Sequence, residues 1–233
     1  MAPERTRMKS DGEKLQLHVL KSLQDKQRTR ALYEEAFDDP QPFVDFYYRE
    51  ICKSNVIITA QEGGSVIAMC HLNPYLLSVR GRTVRAYYIV AGATDRRRRH
   101  EGLMTAVLQK AFALMEEEHI PFCYLLPVDT AIYEWLGFEV ISDFKESAGN
   151  AEEIRKGYDI YCVRDEIYLR RQREMLELQK YDKGEVLPEH PVIMAKVISQ
   201  SSFCQLSGLP ENTAECDLLT WLKKLNIYLC EEV

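Results

Sequence analysis

The segment that most restricts the possible folds runs from residue 83 to residue 117. It starts with the β-rich run TVRAYYIVAGAT, continues through the basic loop DRRRRHEG, and ends in LMTAVLQKAFALMEE, whose apolar residues recur at helical spacing. A second apolar run, FCYLLPV, follows Pro121. A strand, a loop, a helix and a second strand in this order are typical of a crossover unit in a mixed α/β protein. We therefore expect a β-α-β unit over residues 86–126.

The basic loop between this strand and this helix is suited to hold a phosphate group. The first N–H groups of a helix lack partners and carry partial positive charge. Gly102 has no Cβ where phosphate oxygens would approach, and the arginines add forked donors. A solvated basic loop in front of a core helix explains the same residues. The stretch lacks the Gly-Lys-Ser/Thr end of a Walker loop and the GxGxxG of a dinucleotide fold.

Charge and cysteine content restrict the partners and the compartment. With 36 acidic and 30 basic residues the net charge is −6, which disfavours nucleic-acid binding and mildly favours cationic ligands. Seven cysteines without a CxxC pair indicate neither a disulfide framework nor a zinc site, so we expect reduced thiols in a cytoplasmic protein. No apolar run is long enough to span a membrane, and residues 1–14 lack the apolar core of a signal peptide.

The other elements follow from apolar periodicity and from helix breakers. Strands are predicted at LQLHVLK, NVIITAQ, SVIAMCHL, YLLSV, FEVI, YDIYCV, VIMAKVIS and NIYLC, and helices at residues 23–37, 43–53, 164–180, 201–208 and 214–224. Ser22 and Asp25 resemble a capping box at the first helix. Pro74 is expected to end or bend its strand. SDFKESAGNAEEIRKG is predicted to be a polar loop and YDKGEVLPEHP a linker.

Two separate motifs resemble those of the GNAT superfamily of N-acetyltransferases. RHEGLM, at residues 99–104, is similar to the R-x-x-G-x-G/A segment of that family, and the strand before it is similar to the central strand of the family. PFCYLLPVDTAIYEWLGFEVI is similar to the next strand and contains the ending Y-x-x-x-G-F/Y. Together with the HLNPY and VRG hairpins, these motifs resemble a shortened form of the Eis-like (enhanced intracellular survival) branch over residues 16–145.

The resemblance implies the GNAT fold. That fold is a mixed, twisted sheet whose central parallel strands splay apart, flanked by helices, here with a small C-terminal α/β appendage. The implied organisation is a loose N-terminal arm (1–14), an acetyltransferase core (15–145), a reduced second half or connector (146–190) and a trimmed sterol-carrier-like remnant (191–233).

The resemblance also implies an activity. We expect transfer of acetyl from acetyl-coenzyme A, without a metal, to a primary amine of a small acceptor, polycations included, by direct attack in a ternary complex. An acyl-coenzyme A-binding or regulatory module with the same fold is the alternative. The implied cofactor contacts come from the strand at Val90, Ala91 and Gly92 and from the loop at Arg97, Arg98, Arg99, His100, Gly102, Leu103 and Met104.

Two residues of the loop depart from the motif of the family. Met104 stands where the motif has a small residue, so its side chain could crowd the pyrophosphate. Glu101 carries a negative charge that repels phosphate. The same two residues motivate the alternative of a module without catalysis.

The implied general acid is Tyr133, which stands at the tyrosine position of the family and would protonate the departing thiolate. A core aromatic side chain explains Tyr133 as well. In Eis-like enzymes the C-terminal carboxylate reaches the active site, so Val233 is the implied base, with Glu231 and Glu232 as rivals. A frayed acidic tail is the alternative.

Other residues are candidates by type alone. His71 and His119 could act as bases, although a strand position suits a structural or pocket-lining role for His71. Three acidic residues could attract a cationic amine or cap helices, namely Asp38, Asp39 and Asp45. The aromatic residues of the second helix are expected to lie mostly in the core, with one or two bordering the amine pocket: Phe43, Phe46, Tyr47 and Tyr48. A homo-oligomer is expected because the branch often assembles into multimers.

Overall fold

A computed structural model describes residues 15–145, 150–178 and 188–230. Its strands are β1 (Gln16–Leu20), β2 (Val56–Glu62), β3 (Ser65–Val79), β4 (Arg82–Thr94), β5 (Phe122–Leu125), β6 (Glu139–Asp143), β7 (Ile160–Cys162), β8 (Val192–Val197) and β9 (Ile227–Tyr228). Its helices are α1 (Leu23–Lys26), α2 (Arg30–Ala36), α3 (Gln41–Phe46), α4 (Leu103–Glu117), α5 (Ala131–Glu134), α6 (Ala151–Gly157), α7 (Glu166–Leu178), α8 (Gln200–Ser207) and α9 (Glu215–Lys223). None of the helices within these ranges has the length and apolarity needed to cross a bilayer.

The strands form one mixed sheet in the order β1-β2-β3-β4-β5-β8-β6. Strands β1 to β4 are antiparallel neighbours, β4 and β5 are parallel, and β8 is antiparallel to both β5 and β6. Strand β7 pairs with the end of β3, and β9 lies parallel to β7. The predicted fold class, a mixed sheet with a central parallel pair flanked by helices, is confirmed.

The helices cover both faces of this sheet. Neighbouring residues of β2 belong to different clusters of buried side chains: Ile57 packs with α2 and α3, whereas Ile58 packs with α4. Successive side chains of a strand point to opposite faces, so these helices lie on opposite sides. Side chains of α8 and α9 pack in the same cluster as α4, and Met175 of α7 packs against the cluster of α2 and α3.

The C-terminal part of the chain completes the sheet of the core. Strand β8 lies between β5 and β6, although it follows β6 only after the long connection that carries α6, β7 and α7. Helix α7 reaches the α3 side through Glu50, which accepts from Arg170 at 3.1 Å and whose carbonyl accepts from Arg171 at 2.6 Å. Two predictions about the origin of this part stay predictions: that residues 146–190 are a reduced second half or connector, and that residues 191–233 are a trimmed sterol-carrier-like remnant.

Three expectations about local structure are wrong in detail. The predicted helix 23–37 is divided by a 3₁₀ turn at Gln27–Thr29, although Ser22 caps its start and accepts from the Asp25 N–H at 3.1 Å. Strand β3 continues through Pro74, which lies where neither β2 nor β7 pairs with β3, so the missing N–H is tolerated on that edge. The predicted polar loop contains α6, which begins with a capping box at Asn150.

A cluster of polar side chains is buried between the sheet and helices α1 to α3. The Lys26 ammonium donates to the carbonyl oxygens of Cys52 (2.7 Å) and Asn55 (2.6 Å) and is fully buried. His71 Nδ1 lies 3.0 Å from the Tyr47 hydroxyl, and within the described ranges His71 Nε2 has no partner. Burial, together with the nearby Lys26 charge, lowers the pKa of His71 to about 3. His71 is therefore a neutral core residue at physiological pH.

This buried histidine should make folding stability depend on pH. Its pKa is about 3 in the folded chain against 6.5 when unperturbed, so below pH 6.5 the unfolded chain binds a proton that the folded chain does not. The contribution of neutral His71 is complete above pH 6.5 and is lost as the pH falls toward 3, at about 1.4 kcal/mol per pH unit. In urea unfolding between pH 7 and 4, His71→Asn should flatten the decline by about this slope. The same change at the exposed His190 should not, and equal slopes in His71→Asn and the parent would contradict the assignment.

Candidate active site

The central feature of the site is an opening between the parallel strands β4 and β5. The two strands pair only at Tyr87 with Cys123 and at Tyr88 with Tyr124, whereas β4 continues to Thr94. Among the described residues no strand pairs with β4 along this edge beyond Tyr88. The backbone groups of the segment that contains Val90, Ala91 and Gly92 therefore remain available to another partner.

A β-bulge in β4 accompanies this opening. On β3, Met69 faces Ala93 and His71 faces Val90, so β4 has one residue more than β3 over this interval. Ala91 has a φ of +51°, in the left-handed region that residues with a Cβ adopt infrequently. Bulges bend a strand and increase its twist. This irregularity thus turns β4 away from β5 at the residues predicted to meet the cofactor.

The loop after β4 is shaped by Asp95 and Gly102. The Asp95 carboxylate accepts from the backbone N–H of Arg97 at 2.9 Å and from its guanidinium at 2.8 Å. Those bonds to Arg97 hold the pKa of Asp95 below its usual value. Gly102 has a φ of +77° and precedes α4, and a Cβ built on it would meet nothing within 4 Å. The space in front of the helix is therefore open.

The first turn of α4 presents free donors to this space. The first helical hydrogen bond runs from the N–H of Ala106 to the carbonyl of Gly102 at 3.1 Å. No acceptor in the described part of the chain bonds the N–H groups of residues 103–105. Such donors at a helix start, with the positive end of the helix dipole, suit an anion.

The arginines of the loop differ in their partners. Arg97 is paired with Asp95, and Arg98 bridges Glu62 at 2.5 Å and Glu101 at 2.9 Å. Arg98 is thus paired with Glu101, the residue expected to repel phosphate, and shares its single positive charge between that carboxylate and Glu62. Within the described ranges the Arg99 side chain bonds only the carbonyl of Thr94, at 3.5 Å. Of the three arginines predicted near the pyrophosphate, Arg99 is the one that no carboxylate of the described segments pairs with.

Met104 lies directly over β4. A Cβ built on Gly92 would be 3.7 Å from Met104 Cε and 3.9 Å from Sδ. The thioether therefore fills the room that glycine leaves beside the opening, while the neighbouring Leu103 points into the core. His100, with a φ of +66°, belongs to the turn between the arginines and the helix.

Tyr133 lies in the single turn α5 that follows β5. Its ring is half-buried and packs edge-on against Phe138 at 5.9 Å. Burial raises the pKa of Tyr133, and the nearby Cys70 thiol, on β3 opposite the bulge, adds to the effect. The hydroxyl has no hydrogen-bond partner among the described residues, so at neutral pH it is a protonated donor available to a ligand.

The other candidate residues are separated from this opening. His119 is exposed, lies just after the C-terminal end of α4, and is about 25 Å along the helix axis from Gly102. His71 is enclosed by tyrosine rings, with Tyr47 at 5.6 Å, and has the structural role described above. Val233, Glu231 and Glu232 lie outside the described residues.

The residues of the first helices are mainly structural. Phe46, Tyr47 and Tyr48 are buried, which confirms the expectation that these aromatics lie in the core. Asp45 pairs with Arg30 at 2.5 Å. Asp39 accepts from the hydroxyl of a buried tyrosine, Tyr33, at 2.6 Å. Asp38 is exposed beside it.

Sequence reasoning missed two residues that organise the loop. Asp95 stands between a strand and a run of arginines, a position where aspartate commonly caps a turn. Its role as the cap of this turn could therefore have been predicted from the sequence. Glu62 is separated by 36 residues from Arg98, and nothing in the local pattern indicates this pair.

Solved structures with a similar fold are acetyltransferase-like proteins of low sequence identity. Eis1 from Mycobacterium abscessus is similar with a TM-score of 0.55 and 13% identity over 72% of this chain and 49% of its own. A conserved protein of unknown function from Enterococcus faecalis V583 is similar with a TM-score of 0.52 and 14% identity over 56% of this chain and 33% of its own. A GCN5-related N-acetyltransferase from Kribbella flavida is similar with a TM-score of 0.51 and 10% identity over 81% of this chain and 73% of its own. The chain thus spans about a third to a half of two of these relatives.

At the level of sequence, none of the curated proteins matches this chain. The family model of the acetyltransferase (GNAT) domain matches residues 21–141, just over half of the chain. This range contains the opening between β4 and β5, the basic loop with the start of α4, and Tyr133. The chain therefore belongs to the GNAT acetyltransferase family.

Proposed function

We propose that the protein transfers acetyl from acetyl-coenzyme A to a primary amine of a small acceptor. The observation that carries the proposal is the opening between β4 and β5, followed along the chain by the start of α4 and by Tyr133, whose N–H groups and hydroxyl have no partner among the described residues. The fit of acetyl-coenzyme A follows from its parts: an arm with two amides, a diphosphate and a thioester.

Each part of acetyl-coenzyme A has a matching group in the chain. The amides of the pantetheine arm match the unpaired backbone edge of β4 at residues 90–92, where they would act as an added strand. The diphosphate matches the N–H groups of residues 103–105, with open space in front of Gly102. Arg99 adds a cation that no described carboxylate neutralises.

The chemistry requires two proton transfers. Acetyl-coenzyme A supplies an electrophilic thioester carbonyl and a thiolate leaving group. A neutral amine attacks the carbonyl carbon, the C–N bond forms and the C–S bond breaks. Tyr133 donates its hydroxyl proton to the sulfur, a step that its raised pKa suits because the residue stays protonated at neutral pH. The nitrogen gives its proton to a base.

For this base we retain the sequence-based assignment to the carboxylate of Val233. Strand β9 supports it in one respect. Strand β9 runs parallel to β7 and therefore antiparallel to β3. It leads from the level of Val79 on β3 toward the level of Leu77, and the opening lies further along in that direction. The Eis-like branch likewise stays a proposal, supported by the fold similarity to Eis1 from Mycobacterium abscessus.

The acid role of Tyr133 is tested by removing its hydroxyl. Tyr133→Phe should lower kcat for thiol release by about a hundredfold, the usual contribution of a positioned acid, and leave the KM for acetyl-coenzyme A nearly unchanged. Tyr161→Phe on β7 serves as the matched control and should keep full activity. Steady-state assays over a panel of amines measure both constants. An unchanged kcat in Tyr133→Phe excludes the acid role.

The arginine cluster can be dissected by affinity. Arg99→Gln should weaken coenzyme A binding about tenfold, because it removes a cation without a carboxylate partner. The loss should shrink as salt rises. Arg155→Gln, in α6, is the control and should not change binding. Calorimetric titration at two salt concentrations measures both, and an unaltered affinity in Arg99→Gln would remove Arg99 from the phosphate site.

Met104 is one of the two residues that motivate the alternative, a catalytically weak acyl-coenzyme A-binding or regulatory module of the same fold, and its effect on cofactor binding can be measured. If its thioether crowds the opening beside Gly92, Met104→Ala should tighten coenzyme A binding several-fold, while Met104→Leu, of similar volume, should not. The same titration measures both variants. Weaker binding in Met104→Ala would show instead that the thioether is a favourable contact for the cofactor.

A further inference from the structure

A second cavity lies on the face of the sheet that α4 covers. Its volume is about 350 Å³, within the range of small-molecule sites, and it is bordered by α4, β8, α8 and α9. Phe112 of its wall follows Gly102 by ten residues, which is about 15 Å along the axis of α4. The cavity is therefore separate from the phosphate-binding loop.

The cavity contains a cation, the Lys196 ammonium, that donates no hydrogen bond to the described part of the chain. The Lys196 side chain is 20% exposed, and its ammonium lies 5.5 Å from the ring centre of Phe112. The nearest carboxylate oxygen, of Glu215, is 3.8 Å away, which is too far for a hydrogen bond. Within the described ranges no other acceptor bonds this ammonium. This ammonium is accessible from the cavity, so a ligand with an anionic group can accept a hydrogen bond from it.

Two neighbours define where this ammonium lies. A Cβ built on Gly137 would be 2.8 Å from Lys196 Nζ, so the ammonium lies directly against the turn after α5. The centre of the Phe112 ring is 5.5 Å from the ammonium. The Lys196 ammonium therefore lies between the turn after α5 and an aromatic side chain of α4.

The rim of the cavity carries the opposite charge. Glu116 is exposed and has no cation partner among the described residues, and the Glu215 side chain is 57% exposed. The walls between the charges are apolar, formed by Phe112, Val197 and Ile198. The cavity therefore presents one cation inside, two carboxylates at its mouth and an apolar surface between them.

We propose that this cavity binds a free α-amino acid with an apolar side chain. Its carboxylate accepts from Lys196, its ammonium donates to Glu116, and its side chain lies on Phe112. A zwitterion satisfies both kinds of charge at once, whereas a simple anion would meet the repulsion of the two carboxylates and a simple cation that of the lysine.

The chemistry is tested by calorimetric titration of the full chain with L-leucine and L-phenylalanine, without acetyl-coenzyme A. At least one of them should bind. N-acetyl-L-leucine lacks the ammonium and L-leucinamide lacks the carboxylate, so each should bind at least about tenfold more weakly than L-leucine. Binding of neither amino acid, or equal binding of either derivative, overturns the proposal.

Variants then locate the ligand. Lys196→Met and Glu116→Gln should each weaken binding of the amino acid about tenfold. Lys224→Met and Glu117→Gln, which change exposed neighbours, are the matched controls and should bind normally. Unchanged affinity in both Lys196→Met and Glu116→Gln would place the ligand elsewhere and overturn the proposal. Since no thioester is present, this failure is independent of acetyl transfer.

Discussion

Strands β4 and β5 share only two residue pairs before they separate, and the candidate active site depends on that separation. A backbone N–H or C=O in the interior must find a partner, so a parallel sheet that opens in its centre needs either solvent or a ligand in the opening. The extra residue in β4, with Ala91 in a left-handed conformation, opens the sheet next to the start of α4. One irregularity thereby brings an unpaired strand edge and an unpaired helix end to the same place.

The electrostatics of the loop reconcile an acidic chain with an anion site. Four successive arginines do not act as four free charges: two are paired with carboxylates that come from the loop itself or from the β2–β3 hairpin. Those pairs hold the shape of the loop. The local positive character comes from Arg96 and Arg99, which bond only backbone carbonyls within the described ranges, and from the helix start. In the proposed function this site would bind an anion chiefly through its geometry and these local charges, and the net charge of the protein would matter little.

The sequence predicted those features that are encoded by contiguous residues. The strand, the basic loop, Gly102 and α4 form one stretch, and Tyr133 with Gly137 forms another, so periodicity and motif spacing identified both. Features that depend on distant residues could not be predicted. The ion pair of Glu62 with Arg98 and the complete burial of Lys26 result from packing between elements that have no common local pattern. The prediction that Pro74 ends or bends its strand failed for a related reason. Proline is tolerated there because neither β2 nor β7 pairs with β3 at this residue, and that follows from the arrangement of the whole sheet.

The position of β8 has a consequence for how the chain reaches its native state. During synthesis on the ribosome, every strand through β6 is made before β8. Until β8 is made, one edge of β5, at the apolar residues Phe122–Leu125, has no partner strand. Open edges of this kind invite pairing with other chains. Closure also joins segments far apart in sequence, which slows folding. The edge of β5 is therefore open to pairing with other chains until the residues of β8 have been made.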